Sequence, residues 1–294
     1  MRSILQDIAD QGVLVSDGAW GTLLFAAGLG PGECTEDWNL THPDVVRGIA
    51  QRYIEAGANI VTTNSFGASR IMLARHGREG DAVALNEAAA RLSREAAGDN
   101  HVMASIGPTG KFLIMGDTTE EELYEAFKEQ AMALERGGAD ACCIETMADI
   151  DEARIAVRAA KENTAIEIVC SFTFNAAGGA YHTMMGVTPE QMATAMVDAG
   201  ADILGCNCTL GPAEMVGIVH ALHAAAPGTP ILVHPNAGQP IHSDTGVTYP
   251  ETPESFARYV PEFIAAGAKI VGGCCGTTPD HIRAIAAAIR TCHR

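Results

Sequence analysis

Two hydrophobic rhythms alternate along this chain. Short runs rich in Val, Ile and Leu are each followed by a longer stretch in which apolar residues recur every three or four positions. The first rhythm predicts strands at Val13–Ser16, Asn59–Thr63, Val102–Ile106, Ala141–Ile144, Ile166–Phe172, Asp202–Leu204, Ile231–His234 and Lys269–Val271. The second predicts helices at Asp44–Ala56, Ala82–Ala97, Thr119–Arg136, Ile150–Lys161, Pro189–Ala199, Ala213–Ala225, Pro253–Ala266 and Pro279–Ile289. Start signals agree with this reading. In Thr188-Pro189-Glu190, Thr252-Pro253-Glu254 and Thr278-Pro279-Asp280 a capping hydroxyl precedes a proline and an acid, all of which favour a helix N-terminus. Stop signals agree too: Ala-Gly-Ala at 56–58, 199–201 and 266–268 puts a glycine where a helix gives way to a strand. Eight strand–helix pairs in 294 residues match a single (β/α)₈ TIM barrel spanning residues 1–294. An open doubly wound sheet has the same local pattern, but the runs are short and their number is eight.

A barrel predicts that function sits where strands end. The strand ends read Asp17-Gly18-Ala19, Asn64-Ser65-Phe66-Gly67, Gly107-Pro108-Thr109, Glu145-Thr146, Asn207-Cys208, Asn236-Ala237-Gly238 and Gly273-Cys274-Cys275-Gly276. Polar and reactive groups collect there. In a continuing strand, neighbouring side chains point to opposite faces, so adjacent cysteines cannot share a ligand. Gly272, Gly273 and Gly276 flank Cys274-Cys275 and allow a turn that brings both sulfurs to one side. With Cys208 they form a three-thiolate set suited to Zn²⁺ with one position open. Cys206, two positions earlier, is an alternative ligand. The competing structural reading makes the late pair buried filler, as expected for Cys142-Cys143, which lies inside a strand run without flanking glycine. Asp17 and Glu145 are candidate carboxylates for an amino-acid ammonium group or for proton transfer, though either also suits a helix cap. His234 reads as structural. Gly28–Gly32 lacks the Lys-Ser/Thr ending of a phosphate loop and reads as an ordinary loop.

Charge and composition narrow the partners. A formal net charge of −17 disfavours nucleic acid and anionic membranes. No apolar run approaches a membrane span, the polar start MRSILQDIADQG is unlike a signal peptide, and the expected location is cytoplasmic. There the nine cysteines are expected to be reduced.

The strand-end motifs, together with Asn39-Leu40-Thr41-His42-Pro43-Asp44 and Gly272-Gly273-Cys274-Cys275-Gly276-Thr277-Thr278-Pro279, cover nearly the whole chain. In these the sequence resembles the homocysteine-binding methyltransferase family, most closely the homocysteine module of cobalamin-dependent methionine synthases. The resemblance implies a (β/α)₈ barrel that binds zinc through Cys208, Cys274 and Cys275 and transfers a methyl group to homocysteine to form methionine. It places substrate contacts at Asp17, at the backbone of Gly18 and Ala19, and at Glu145 for the amino group, with Asn236 near the metal. Betaine-using relatives surround the donor with aromatic rings. Cys34, Gly67 and Thr146 align with those rings, which argues against betaine. The resemblance therefore implies a methylcorrinoid (methylcobalamin) carried by a separate protein, with S-methylmethionine as the alternative donor.

Overall fold

Every predicted strand forms. In the computed structural model, which describes residues 2–243 and 246–292, the barrel strands are β1 (Leu14–Val15), β2 (Ile60–Thr62), β3 (His101–Ile106), β4 (Ala141–Met147), β5 (Glu167–Phe172), β6 (Ile203–Asn207), β7 (Ile231–His234) and β8 (Ala268–Val271). They make one eight-stranded sheet in the order β1-β8-β7-β6-β5-β4-β3-β2, with every pairing parallel. A parallel bridge between Ser16 and Ile60 joins the two edges, and Asn59 reinforces it by exchanging bonds with the N–H and C=O of Val15. The sheet is a (β/α)₈ barrel, as the strand count predicts.

Helices follow the strands largely as expected, with one correction. Pro253–Ala266 is not continuous but splits into Pro253–Ala257 and Val260–Ala266. Pro261 has no N–H to offer the Ala257 carbonyl, so the first helix stops there and the second begins with the proline in its first turn. The three Ala-Gly-Ala stops use glycine as anticipated: Gly57, Gly200 and Gly267 have φ of 106°, 95° and 113°. Thr188 and Thr252 cap as expected; at Thr278 the His281 ring instead accepts from the N–H.

Side-chain alternation along the strands divides the lumen in two. Lower inward positions are apolar: Leu14, Ile60, Met103, Ala141, Cys143, Val169, Ile203, Leu232 and Ile270 form one buried cluster. Ile4 and Ile8 of an unpredicted helix, Ile4–Gln11, join it and plug the N-terminal end. Glu167 holds that plug by accepting from the Ile4 and Leu5 amides and the Ser3 hydroxyl. Two residues further along, the same inward face carries Ser16, Thr62, Ser105, Glu145, Ser171 and His234, and on β6 Asn207 follows four residues after Ile203. The upper lumen is therefore a polar floor laid on an apolar plug.

Candidate metal centre and active site

The late cysteine pair does leave the sheet. After β8, Gly273 N–H donates to the Asp17 carbonyl and Cys274 N–H to the Pro235 carbonyl, while Cys275 C=O accepts from Ala237 N–H. Gly276 completes the turn at φ 81°. Gly272 matters for proximity rather than for φ: a Cβ there would lie 2.7 Å from the Asp17 carbonyl oxygen. Cys208 reaches the same place by a different route, with its own φ at 63° and its N–H bonded to the His234 carbonyl.

These turns bring the sulfurs of Cys208, Cys274 and Cys275 within 4.8 Å of one another, and Cys208 and Cys275 stand 3.9 Å apart. A tetrahedral zinc with bonds near 2.3 Å requires sulfur–sulfur edges of about 3.8 Å. The donor set and its spacing fit that ion. Hydrogen bonding among the three thiols holds the Cys275 sulfur well below the ordinary thiol range. Cys142, Cys143, Cys170 and Cys206 are fully buried, and desolvation pushes their thiols well up. Cys206 faces outward from β6 into the core beneath the helices, away from the cluster. It is therefore not a ligand in this arrangement. Cys34 is also buried, and Cys292 ends the last helix in an exposed position.

Asn236 is bracketed by the cysteine pair through the two bonds of Pro235 and Ala237. Its Oδ1 is buried without a hydrogen-bond partner, a costly state unless something accepts the lone pair.

Beside the sulfurs lie two carboxylates, Asp17 buried and Glu145 half-buried. Burial raises Glu145 to about 7, opposed by the Ser105 hydroxyl that donates to it. Burial likewise raises Asp17 to about 6, opposed by the Thr62 N–H, the Trp20 indole and the Thr62 hydroxyl. Neither forms a salt bridge among the described residues. The two differ in availability. Asp17 Oδ2 already accepts Thr62 N–H at 2.7 Å, Thr62 Oγ1 at 2.9 Å and Trp20 Nε1 at 2.9 Å. Glu145 is partly exposed at the mouth, and only one of its oxygens is engaged. Two carboxylates with no cation of their own make a site complementary to an ammonium group.

The loop after β1 is tied to the cysteine loop by Thr277, whose Oγ1 accepts from Ala19 N–H and donates to Cys274 C=O. Ala19 N–H is thus occupied, whereas no acceptor among the described residues takes the Gly18 N–H. His234 is buried, held neutral by desolvation with its pKa lowered to about 4, and carries no partner on Nε2. His182 lies exposed on a hairpin formed by Asn175–Ala177 and Ala180–His182. The supporting groups Ser105, Thr277 and Asn207 were not singled out from sequence for these roles. Strand parity was the available signal for Ser105, which faces inward like Met103.

The family model of homocysteine S-methyltransferase matches residues 14–289. The chain belongs to the homocysteine S-methyltransferase family. Within it, the chain is 35% identical over 309 residues to methionine synthase of Mycobacterium tuberculosis and 36% identical over 310 residues to that of Mycobacterium leprae. Each alignment covers 99% of this chain but only 26% and 25% of those proteins, so the chain spans about a quarter of their length. The metallated structure of the homocysteine methyltransferase MmuM from Escherichia coli superposes with a TM-score of 0.80 at 26% identity, covering 96% of this chain and 99% of that one. Its oxidized form gives a TM-score of 0.81 at 25% identity, covering 97% and 99%. Among the described residues no helix is long and apolar enough to cross a membrane.

Proposed function

We propose that this barrel is a zinc-dependent methyltransferase that methylates the thiol of homocysteine to give methionine. One observation carries the reading: three cysteine sulfurs within 4.8 Å of one another stand beside carboxylates that have no cation of their own. A zinc ion held by these three thiolates would carry a single net negative charge, and would supply a centre on which a substrate thiol ionises at neutral pH yet stays electron-rich. The chain's residues do the rest. Cys208, Cys274 and Cys275 would supply the ligands, and the buried, unpartnered Oδ1 of Asn236 belongs to the residue whose chain neighbours bond to the cysteine pair. Glu145 takes the ammonium group, its ionised form favoured once that cation replaces water. The Gly18 amide offers a donor for the substrate carboxylate, and Asp17 orders the loop that carries it. Transfer is an in-line displacement: a sulfur lone pair forms the new S–C bond, and the donor leaves with the electrons of its bond to the methyl carbon.

For the donor, the likeness to methionine synthases, which extend well beyond the barrel, supports a methylcorrinoid presented by a cobalamin-carrying domain. A second reading has a specific observation behind it. A small cavity of about 160 Å³ is lined by Glu33, Glu36 and Phe66, among others, and two carboxylates with a ring suit a sulfonium such as S-methylmethionine. Assaying transfer to homocysteine from methylcobalamin, S-methylmethionine and betaine in parallel decides between them. Methionine from none of the three, with zinc bound, contradicts the proposal.

A further inference from the structure

The buried side chain of Asn207 joins the two halves of the site. It stands on the inward face at the end of β6, immediately before Cys208, and is almost wholly buried. Its Oδ1 accepts from Thr146 N–H at 3.0 Å and from Ser171 Oγ at 2.6 Å, and its Nδ2 donates to Thr146 Oγ1 at 2.8 Å. Its backbone carbonyl accepts from Thr173 Oγ1 at 2.9 Å. Thr146 directly follows Glu145 on β4. Strand β5 lies between β4 and β6, so the amide group reaches across a whole strand to fasten the peptide that carries the carboxylate.

Both anchored segments are strained. Thr146 and Cys208 each have φ of 63°, a region that costs a non-glycine residue about 1–3 kcal/mol. Such conformations persist only where surrounding bonds over-determine them. At Thr146 two of those bonds come from Asn207, and at Cys208 the same residue is the preceding link in the chain.

We infer that Asn207 is a positioning residue that fixes the separation between the metal-binding sulfurs and the Glu145 carboxylate, and so selects the acceptor by its length. The inference rests on the proposed function. An amino-acid thiol is held at two points, its sulfur by the metal cluster and its ammonium by Glu145. Homocysteine and cysteine differ by one methylene between those points. A rigid separation rejects the shorter molecule, because satisfying one contact breaks the other; a loose one accepts both.

The test uses the full chain with cobalt in place of zinc, so that sulfur binding is read from the thiolate-to-cobalt absorption band, alongside methylation kinetics of the zinc form. Asn207→Ser removes the clamp, and Thr146→Val removes the Nδ2 bond from the other end in case the first variant does not fold. Expected are full metal content, unchanged titration by 2-mercaptoethanol (which has no ammonium group), a higher homocysteine KM with a smaller change in kcat, and a loss of about tenfold in the preference for homocysteine over cysteine. An unchanged preference overturns the inference. So does loss of metal or of mercaptoethanol binding in both variants, which makes Asn207 a support of the cluster rather than a spacer. Wild type that never develops the absorption band with homocysteine refutes the proposed function first, and the spacer with it. Wild type that develops it beside variants of unaltered preference refutes the spacer alone.

Discussion

Replacing Glu145 by glutamine separates what the carboxylate does for substrate from what it costs the fold. The carboxyl is raised from 4.5 to about 7, mainly by burial. A raised carboxylate pKa means that the folded state holds its proton more tightly than the unfolded chain does. Its contribution is therefore intact at low pH and is lost as pH climbs from about 4.5 through about 7. At 1.36 kcal/mol per pH unit the loss approaches about 3 kcal/mol by pH 8. Glu145→Gln keeps the shape and an acceptor for Ser105 but has no proton to lose. The substrate-free variant should match wild type at pH 4 and exceed it by up to about 3 kcal/mol at pH 8, or about 5 °C in Tm for a chain of this size. Homocysteine should fare the opposite way. A desolvated ammonium left without its carboxylate costs about 3–5 kcal/mol, so KM should rise by about two to four orders of magnitude. Thermal denaturation at pH 4, 6 and 8, with homocysteine kinetics at pH 8, reads both effects. A stability difference independent of pH, or an unchanged KM, refutes the assignment of Glu145 as a desolvated, cation-seeking carboxylate.

Other outcomes follow from the same geometry. Below pH 7 the homocysteine kcat/KM of wild type should climb with pH more steeply than that of Glu145→Gln, by about tenfold per unit, since the raised carboxyl must ionise before it pairs; parallel profiles contradict this. Cys208→Ser should lose most of the bound zinc and of the methylation, and metal analysis showing full zinc with no activity would redirect the ligand assignment. Gly276→Ala meets two obstacles, a φ of 81° and the Tyr249 ring 2.1 Å from where its Cβ would sit; it should release zinc, and a fully loaded variant contradicts the tight turn. Glu167→Ala orphans the donors at the start of the plugging helix, so Tm should fall by a few degrees, about 2 kcal/mol, with kcat unchanged at the opposite end of the barrel.

The barrel was legible because its strands and helices use different hydrophobic periods and because glycine and proline mark their ends. What escaped was set by contacts distant in sequence. The N-terminal helix looks like a short polar leader until Ile4 and Ile8 are seen to fill a lumen built from all eight strands. The helix expected at Pro253–Ala266 was drawn through Pro261, a break that the residue itself announces. The two adjacent cysteine pairs show how far local reading reaches. Cys142-Cys143 without glycine stays in its strand and points to both cores, whereas Cys274-Cys275 turns out of β8 into the mouth. The third sulfur, nearly seventy residues upstream, was inferred from its place after a strand. Which carboxylate stands free could not be read from either sequence neighbourhood. Asp17 is engaged by Thr62, and Glu145 only by Ser105.

The site as a whole trades stability for readiness. It keeps left-handed non-glycine residues at Thr146, Cys208 and Thr209, an unpartnered oxygen at Asn236 and two carboxylates without cations. Each is unfavourable in isolation. The oxygen and the carboxylates would be satisfied by a bound metal ion and by an amino acid that brings its own ammonium; the left-handed backbone is held instead by its surrounding hydrogen bonds.

The number of sulfur neighbours around zinc, counted by X-ray absorption at the zinc K-edge, tests this account most directly. Zinc-loaded protein should show three sulfur ligands at about 2.3 Å without substrate and four when homocysteine is added, with the light-atom ligand displaced. A sulfur count that stays the same on addition of homocysteine would contradict the claim that this cluster is where the acceptor thiol is activated.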